Sequence, residues 1–209
     1  ALPLVLAVAH HRGVAMRTVL RSAFFFPFTL SGVTVGLTWL WLLRPVVGPF
    51  NYYVKALGLP ARSFLANPAS AMAAIILTTV WWVTGYYLVI YLAGLQDIPR
   101  ELYEAAAIDG ATGWKSFWAI TLPLLKPVLL VVFILATIRS VQTFDEIYVL
   151  TGGGPGSATK MMVHYIYETG FAVMPRNYGL AAAASLLLGL VLFLFTALQL
   201  RLSRGDRDA

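Results

Sequence analysis

The chain contains no cysteine, so neither a disulfide nor a thiolate metal site contributes to it. Charge is scarce too: Asp, Glu, Lys and Arg supply 11% of residues, where a soluble domain carries about a quarter. No catalytic constellation is visible. His10 and His11 sit beside Arg12 in a basic segment and His164 stands alone in a polar stretch, so each reads as a solvated or interfacial histidine without a partner at metal-ligand spacing. The glycine-rich stretch TGGGPGSATK, 151–160, looks at first like a phosphate cradle. A nucleotide-binding loop of that kind needs G-x-x-x-x-G-K-[ST]. Here Gly156 is followed by Ser157, Lys160 by Met161, and Pro155 removes an N–H donor, so the stretch reads as a tight turn. With no ATPase motif in the chain, any ATP-driven process needs a partner.

What the chain does have is apolar length: 59% of its 209 residues are hydrophobic. A bilayer core about 30 Å thick requires roughly 20 apolar residues per helical crossing. The sequence predicts crossings at about 23–43, 71–95, 121–150 and 178–201, the third interrupted by Lys126, Arg139, Asp145 and Glu146. No polar segment is long enough to fold separately, so 1–209 is expected to be one all-α, polytopic transmembrane helical bundle. The opening ALPLVLAVA is too short to cross and reads as the tail of a further span, with N-terminal span(s) missing.

Of the 15 Lys and Arg, nine fall on one predicted side (Arg12, Arg17, Arg21, Arg100, Lys115, Lys126, Arg201, Arg204, Arg207) and six on the other (Arg44, Lys55, Arg62, Arg139, Lys160, Arg176). The positive-inside rule then makes the 97–123 connection and the C-terminus cytoplasmic, and places the glycines of 151–160 outside. The net charge of +6 reflects orientation, not a nucleic-acid footprint.

The 97–123 connection is more organised than a linker needs to be. Asp97 is expected to cap a helix, with Pro99 in its first turn, Glu101 and Glu104 at its positive end and Gly110 ending it in a left-handed conformation. Ala105, Ala106 and Ala107 leave that helix smooth, and a second helix starts at 112–114 and ends its amphipathic part at Pro123. Such a helix pair is either a docking knob or a plain connector rich in helix-forming alanine.

At the membrane depth, Thr79, Trp82 and Tyr86 share one helical face before the knob, while Ala136, Arg139, Ser140 and Thr143 share another after it. Polar groups there nominate a solute pathway, Trp or Tyr lying against a sugar's apolar face and hydroxyls or Arg bonding its oxygens. Trp81, Tyr87 and Tyr91 read as interfacial or packing residues, a role also open to Trp82 and Tyr86. Arg139 either pairs with Asp145 or Glu146 or binds an anionic solute such as a phosphorylated polyol.

Glu104-Ala105-Ala106, then Gly110, Ile120 and Leu122-Pro123, is similar to the full "EAA" signature of binding-protein-dependent ABC importer permeases. Arg44-Pro45, Gly48 and Asn51 resemble that family's first external loop, and "LAGLQDIPRELYEAAAIDGA" and "TFDEIYVLTGGGPG" resemble its sugar and glycerol-phosphate branch, on the side of the larger maltose permease subunit. The resemblance implies a translocation subunit in a bacterial or archaeal cytoplasmic (inner) membrane, with Glu104, Ala105, Ala106, Asp109, Gly110, Ile120, Leu122 and Pro123 coupling it to separate ATPase subunits. It also implies a second, different permease chain and an external solute-binding protein. Cofactors are expected to be none in this chain, ATP and Mg being bound by the ATPase partners. The other reading is a channel or secondary transporter without an ATPase; a membrane enzyme is a distant third.

Overall fold

A computed structural model describes residues 2–11, 17–111 and 113–205. Arg12, Thr112 and Arg207, invoked above for orientation and for the second helix, lie outside the described residues. Among the described residues all regular structure is helical. In chain order the α-helices are α1 (Leu2–His11), α2 (Arg17–Phe25), α3 (Gly32–Leu42), α4 (Pro49–Ala56), α5 (Pro68–Gln96), α6 (Arg100–Ile108), α7 (Trp114–Ser116), α8 (Leu122–Gln142), α9 (Asp145–Leu150), α10 (Met162–Tyr167) and α11 (Tyr178–Gly205). Among the described residues three stretches are by themselves long and apolar enough to cross a membrane: Pro68–Gln96, Trp114–Leu150 and Tyr178–Arg201.

The 23–43 stretch is not one continuous helix. α2 passes into a 3₁₀ turn at Phe26–Thr29, and α3 starts afresh behind Ser31, whose side chain accepts the Thr34 N–H at 3.3 Å. Pro27 within that turn lacks the N–H that helix continuation needs, and Ser31 supplies a new N-cap. Pro123 does not stop its helix, which runs on into the span as expected. Phe117–Thr121 widens into a π-helical turn in which the Leu122 N–H reaches Phe117 O, so the chain absorbs the missing proline donor and runs on through α8.

The chain divides into two compact units. The first comprises 1–29 and 83–136. Its core joins Ala7 of α1, Tyr87, Leu88, Tyr91, Leu92 and Leu95 of α5, and Leu125 and Val132 of α8. Tyr87 and Tyr91 are therefore packing residues. Small residues set the helix spacing: a Cβ on Gly94 would lie 2.6 Å from Val128 Cγ2, and one on Gly85 only 1.9 Å from the Phe24 carbonyl oxygen.

The second unit comprises 30–82 and 137–209. There the short helix α9 lies on a glycine stripe of α3: a Cβ on Gly36 would meet Val149 Cβ at 2.9 Å, and one on Gly32 would meet Asp145 Cβ at 2.8 Å. Ile75, Ile147 and Leu150 form the adjoining core with Trp39, Leu40, Leu65 and Met161. The most apolar window of α11 is only 11% buried, leaving its leucines and phenylalanines for lipid or another subunit.

Asn51 organises the loop between α3 and α5. It is fully buried, its amide donates to the Arg44 and Arg62 carbonyls at 3.2 and 3.0 Å, and its oxygen accepts the Arg62 N–H at 2.8 Å. Replacing Asn51 with Ala removes all of these bonds, so a loss of about 1–3 kcal/mol is expected. Thermal unfolding of the detergent-purified protein, with hydrogen exchange across 44–62, measures it; unchanged exchange there would refute the bracing role.

Candidate functional site

The connecting helix α6 starts two residues away from the expected cap. Pro99 itself occupies the N-cap, with no side-chain cap bond, so Asp97 does not play that part. The C-terminus follows expectation closely. Gly110 adopts φ +74°, the Ala111 N–H reaches Ala106 O at 2.8 Å, and the Gly110 N–H reaches Ala107 O at 3.1 Å, which together form a Schellman cap.

One side of α6 is tied down and the other is bare. Tyr103 shares a hydrogen bond of 2.9 Å with Thr121, and Ile120 packs on the core of the same unit. Glu101, Glu104, Ala105 and Ile108, at helical spacings of three and four, are all exposed, Ile108 at 88%. Asp109, Gly110 and Pro123 are exposed, and Ala106 and Leu122 half-buried. The signature thus divides into an outward half on α6 and an anchoring half on the turn after it.

The membrane-embedded polar residues sort into groups. Arg139 lies over the Trp82 ring, its Cζ 4.4 Å from the centroid, and Thr79 donates its hydroxyl to Glu146 Oε1 at 3.3 Å. A Cβ on Gly32 would meet both Asp145 Oδ2 at 2.9 Å and Trp82 Cη2 at 3.0 Å, so Asp145 borders the same place. The Trp82 Nε1–H is buried with no acceptor. Ser140 and Thr143 spend their hydroxyl protons on their own helix, bonding Thr137 O at 2.9 Å and Arg139 O at 3.0 Å. Tyr86 belongs to the other unit, where it stacks on Phe28 at 4.5 Å. Trp81 packs edge-on against Trp39. Glu146 is the member that sequence reasoning treated only as a possible partner of Arg139; at 3% exposure it is the most buried carboxylate of the cluster.

The turn at 151–160 holds its amides inward. The Gly152 N–H bonds Ile147 O and Tyr148 O, the Gly153 N–H bonds Thr151 Oγ1 and the Gly154 N–H bonds Thr151 O. Buried Thr159 donates to Gly154 O at 2.7 Å. Those donors are spent inside the loop, which rules out a cradle for phosphate built from them.

His164 is not solvated, contrary to the sequence reading. It is 1% exposed, its ring fills the space where a Gly153 Cβ would sit at 3.1 Å, and it packs among Phe144 and Tyr148. Nε2 lies 3.3 Å from Glu168 Oε1, while Lys160 holds the other carboxylate oxygen. The four-residue step from His164 to Glu168 was the available signal.

The Lys160 hydrogen bond holds the Glu168 carboxyl below the usual carboxylate range, against a smaller opposing effect of desolvation. A depressed folded value contributes stability that is present above the ordinary carboxylate pKa of about 4.3 and is lost as pH falls through the folded value. Proteolytic susceptibility of 151–177 should therefore stay flat from about pH 7 to pH 5 and rise only below about pH 4. Lys160→Gln should raise susceptibility already at pH 7 and shrink the rise below pH 4; an unchanged profile would count against the contact.

A match to the family described as "Binding-protein-dependent transport system inner membrane component" spans residues 1–207. The chain belongs to that family, as the resemblance around Glu104 to Pro123 implied. It is 41% identical over 195 residues to the trehalose/maltose transport system permease protein MalF of Thermococcus litoralis, covering 92% of this chain and 64% of the relative. It is 35% identical over 199 residues to the sn-glycerol-3-phosphate transport system permease protein UgpA of Brucella abortus, covering 95% and 67%. The chain thus spans about two thirds of the length of these relatives. The fold matches a bacterial ABC transporter involved in the import of the acidic polysaccharide alginate, with TM-score 0.89, 26% identity, and 98% of this chain and 72% of that chain covered.

Proposed function

We propose that this family member is the membrane-spanning translocation subunit of an ATP-driven, binding-protein-dependent importer of a carbohydrate, a disaccharide or oligosaccharide, or a related polyol phosphate. The exposed face of α6 docks in a cleft of a separate ATPase subunit at the cytoplasmic face. Closure of two such subunits on ATP moves α6, and the Tyr103–Thr121 contact passes that motion to α8, so that the pathway opens alternately to either side. A second, different permease chain and an external solute-binding protein complete the assembly, with the C-terminus of this chain in the cytoplasm.

The observation that carries this reading is the bare Glu101, Glu104, Ala105 and Ile108 face on a helix locked at its C-terminus by Gly110. An apolar residue as exposed as Ile108, beside alanines that admit another backbone closely, suits a partner's groove. Trp82 and Arg139, with Thr79 and Glu146, offer the solute-facing chemistry, and the trehalose/maltose and sn-glycerol-3-phosphate systems among the relatives favour sugars and polyol phosphates.

Co-purification from native membranes tests the reading. An ATPase subunit, a second permease and a solute-binding protein should accompany the chain, and uptake in proteoliposomes should require internal or external ATP at the ATPase face. Uptake by the purified chain without those partners, driven by an ion gradient, would support a secondary transporter in its place.

A further inference from the structure

We infer that α4 is an interfacial helix: its exposed apolar side lies in the headgroup layer of the bilayer that α5 crosses, where Arg44, Lys55 and Arg62 bind anionic lipid phosphates. The inference rests on the membrane span and not on the importer reading. Residues 43–67 join α3 to the start of α5, so they lie at the membrane face opposite α6, which follows the other end of α5. A connection facing water would be expected to carry mostly polar side chains. This one presents Val46 at 82% exposure, Tyr53 at 65% and Leu57 at 77%. Phe50, Tyr53 and Leu57 recur at spacings of three and four, so they share one side of α4 and its C-cap.

These side chains are not free to turn inward, because the backbone that carries them is tied. Buried Asn51 bonds the Arg44 and Arg62 carbonyls, and the Phe50 ring stacks on Trp39 of α3 with centroids 6.0 Å apart. Their cover must come from outside, and three observations identify it as lipid. First, the apolar surface is continuous with a helix stripe. Val33, Leu37 and Trp41, exposed at successive steps of four on α3, lie beside the glycines that receive α9, and exposed Val46 and Val47 carry the surface on toward α4. Second, Trp41, Tyr52 and Tyr53 are the ring types that settle at headgroup level, and the two tyrosine rings pack edge to face at 5.6 Å. Third, the charge has one sign. Arg44, Lys55 and Arg62 are the charged residues of 43–67, all exposed, and no Asp or Glu occurs in residues 1–96. Cations on long stems around an apolar face match a layer of phosphates over acyl chains.

Residues 1–209 contain no cysteine, so a nitroxide on a single introduced cysteine reports one position. The full chain is reconstituted in nanodiscs of phosphatidylcholine alone, or of an equal mixture with phosphatidylglycerol. Collisions of the nitroxide with oxygen, which concentrates among acyl chains, are compared with collisions with a water-soluble nickel chelate. In the mixed nanodiscs oxygen should prevail by at least about threefold at Tyr53→Cys and Leu57→Cys. Ser157→Cys, in the exposed turn 151–160, should show the reverse. Replacing Arg44, Lys55 and Arg62 together by Gln should lower the oxygen preference of Tyr53→Cys at least about twofold in the mixed nanodiscs and leave it unaltered in phosphatidylcholine alone. Dominance of the nickel chelate at both positions in both membranes would overturn the inference. If that dominance vanished on adding the second permease or the solute-binding protein, the face would belong to that protein instead. An oxygen preference indifferent to the charge changes in mixed nanodiscs would remove the anionic lipid from the account. None of these outcomes bears on the importer reading, so the two fail separately.

Discussion

Gly110→Val is expected to leave the protein inserted, assembled and able to support ATP hydrolysis by its partners, while solute uptake falls by about tenfold or more. The reason lies in the backbone and not in crowding. Gly110 has φ +74°, and a Cβ there would meet nothing within 4 Å. Space is available, but a β-branched residue in the left-handed region is strained by about 1–2 kcal/mol. That strain is relieved by giving up the Schellman bonds to Ala106 and Ala107, which frays the last turn of α6 where Ile108 and Asp109 are presented. A graded series separates this cause from any other: Asn tolerates the left-handed region and should retain most uptake, Ala should lose part, and Val nearly all. Paired measurement of ATPase rate and uptake in proteoliposomes gives the answer. Normal coupling in Gly110→Val would remove α6 from the mechanism.

Gly85→Val should act on folding itself. A Cβ at Gly85 would lie 1.9 Å from the Phe24 carbonyl oxygen, 2.4 Å from its carbon and 2.7 Å from Phe25 Cα. All of these are backbone atoms, which cannot rotate aside as a side chain can. Helix α5 and the end of α2 would have to separate, and overpacking of this kind costs at least about 3 kcal/mol, enough to empty the folded population of a marginal membrane protein. Expression in the membrane fraction and the thermal midpoint in detergent should both drop steeply. Gly189→Val, within helix α11 and with nothing within 4 Å of its Cβ, is the matched control and should shift the midpoint only slightly. Equal behaviour of the two variants would mean that the α2–α5 contact is not the constraint described.

How much of this was legible in the sequence depends on whether the cause was local. Gly110 and the helix it ends could be read because a C-terminal glycine and an alanine run act within one turn. The apolar stretches of α5 and α11 could be read because lipid demands length and little else. Pro27 and Pro123 show the limit: one accompanies a break and the other is absorbed by a π turn, and which occurs depends on whether neighbouring turns can widen. The candidate site was half legible. Thr79, Trp82 and Arg139 emerged from helical spacing, but Ser140 and Thr143 share that spacing and turn their hydroxyl protons into the helix. Burial of Glu146 and His164 follows from where α9 and the glycine turn fold, which no local pattern encodes.

The buried amide of Asn51 has a consequence for chain entropy. By clasping Arg44 and Arg62 it shortens the effective loop that the rest of the fold must close, and it confines the intervening stretch to a pendant whose residues 55–63 are exposed. Lengthening a flexible pendant is inexpensive, since each doubling adds only about 0.6 kcal/mol to closure. The segment beyond α4 can therefore grow or shrink almost freely while the anchor points of α3 and α5 keep their separation.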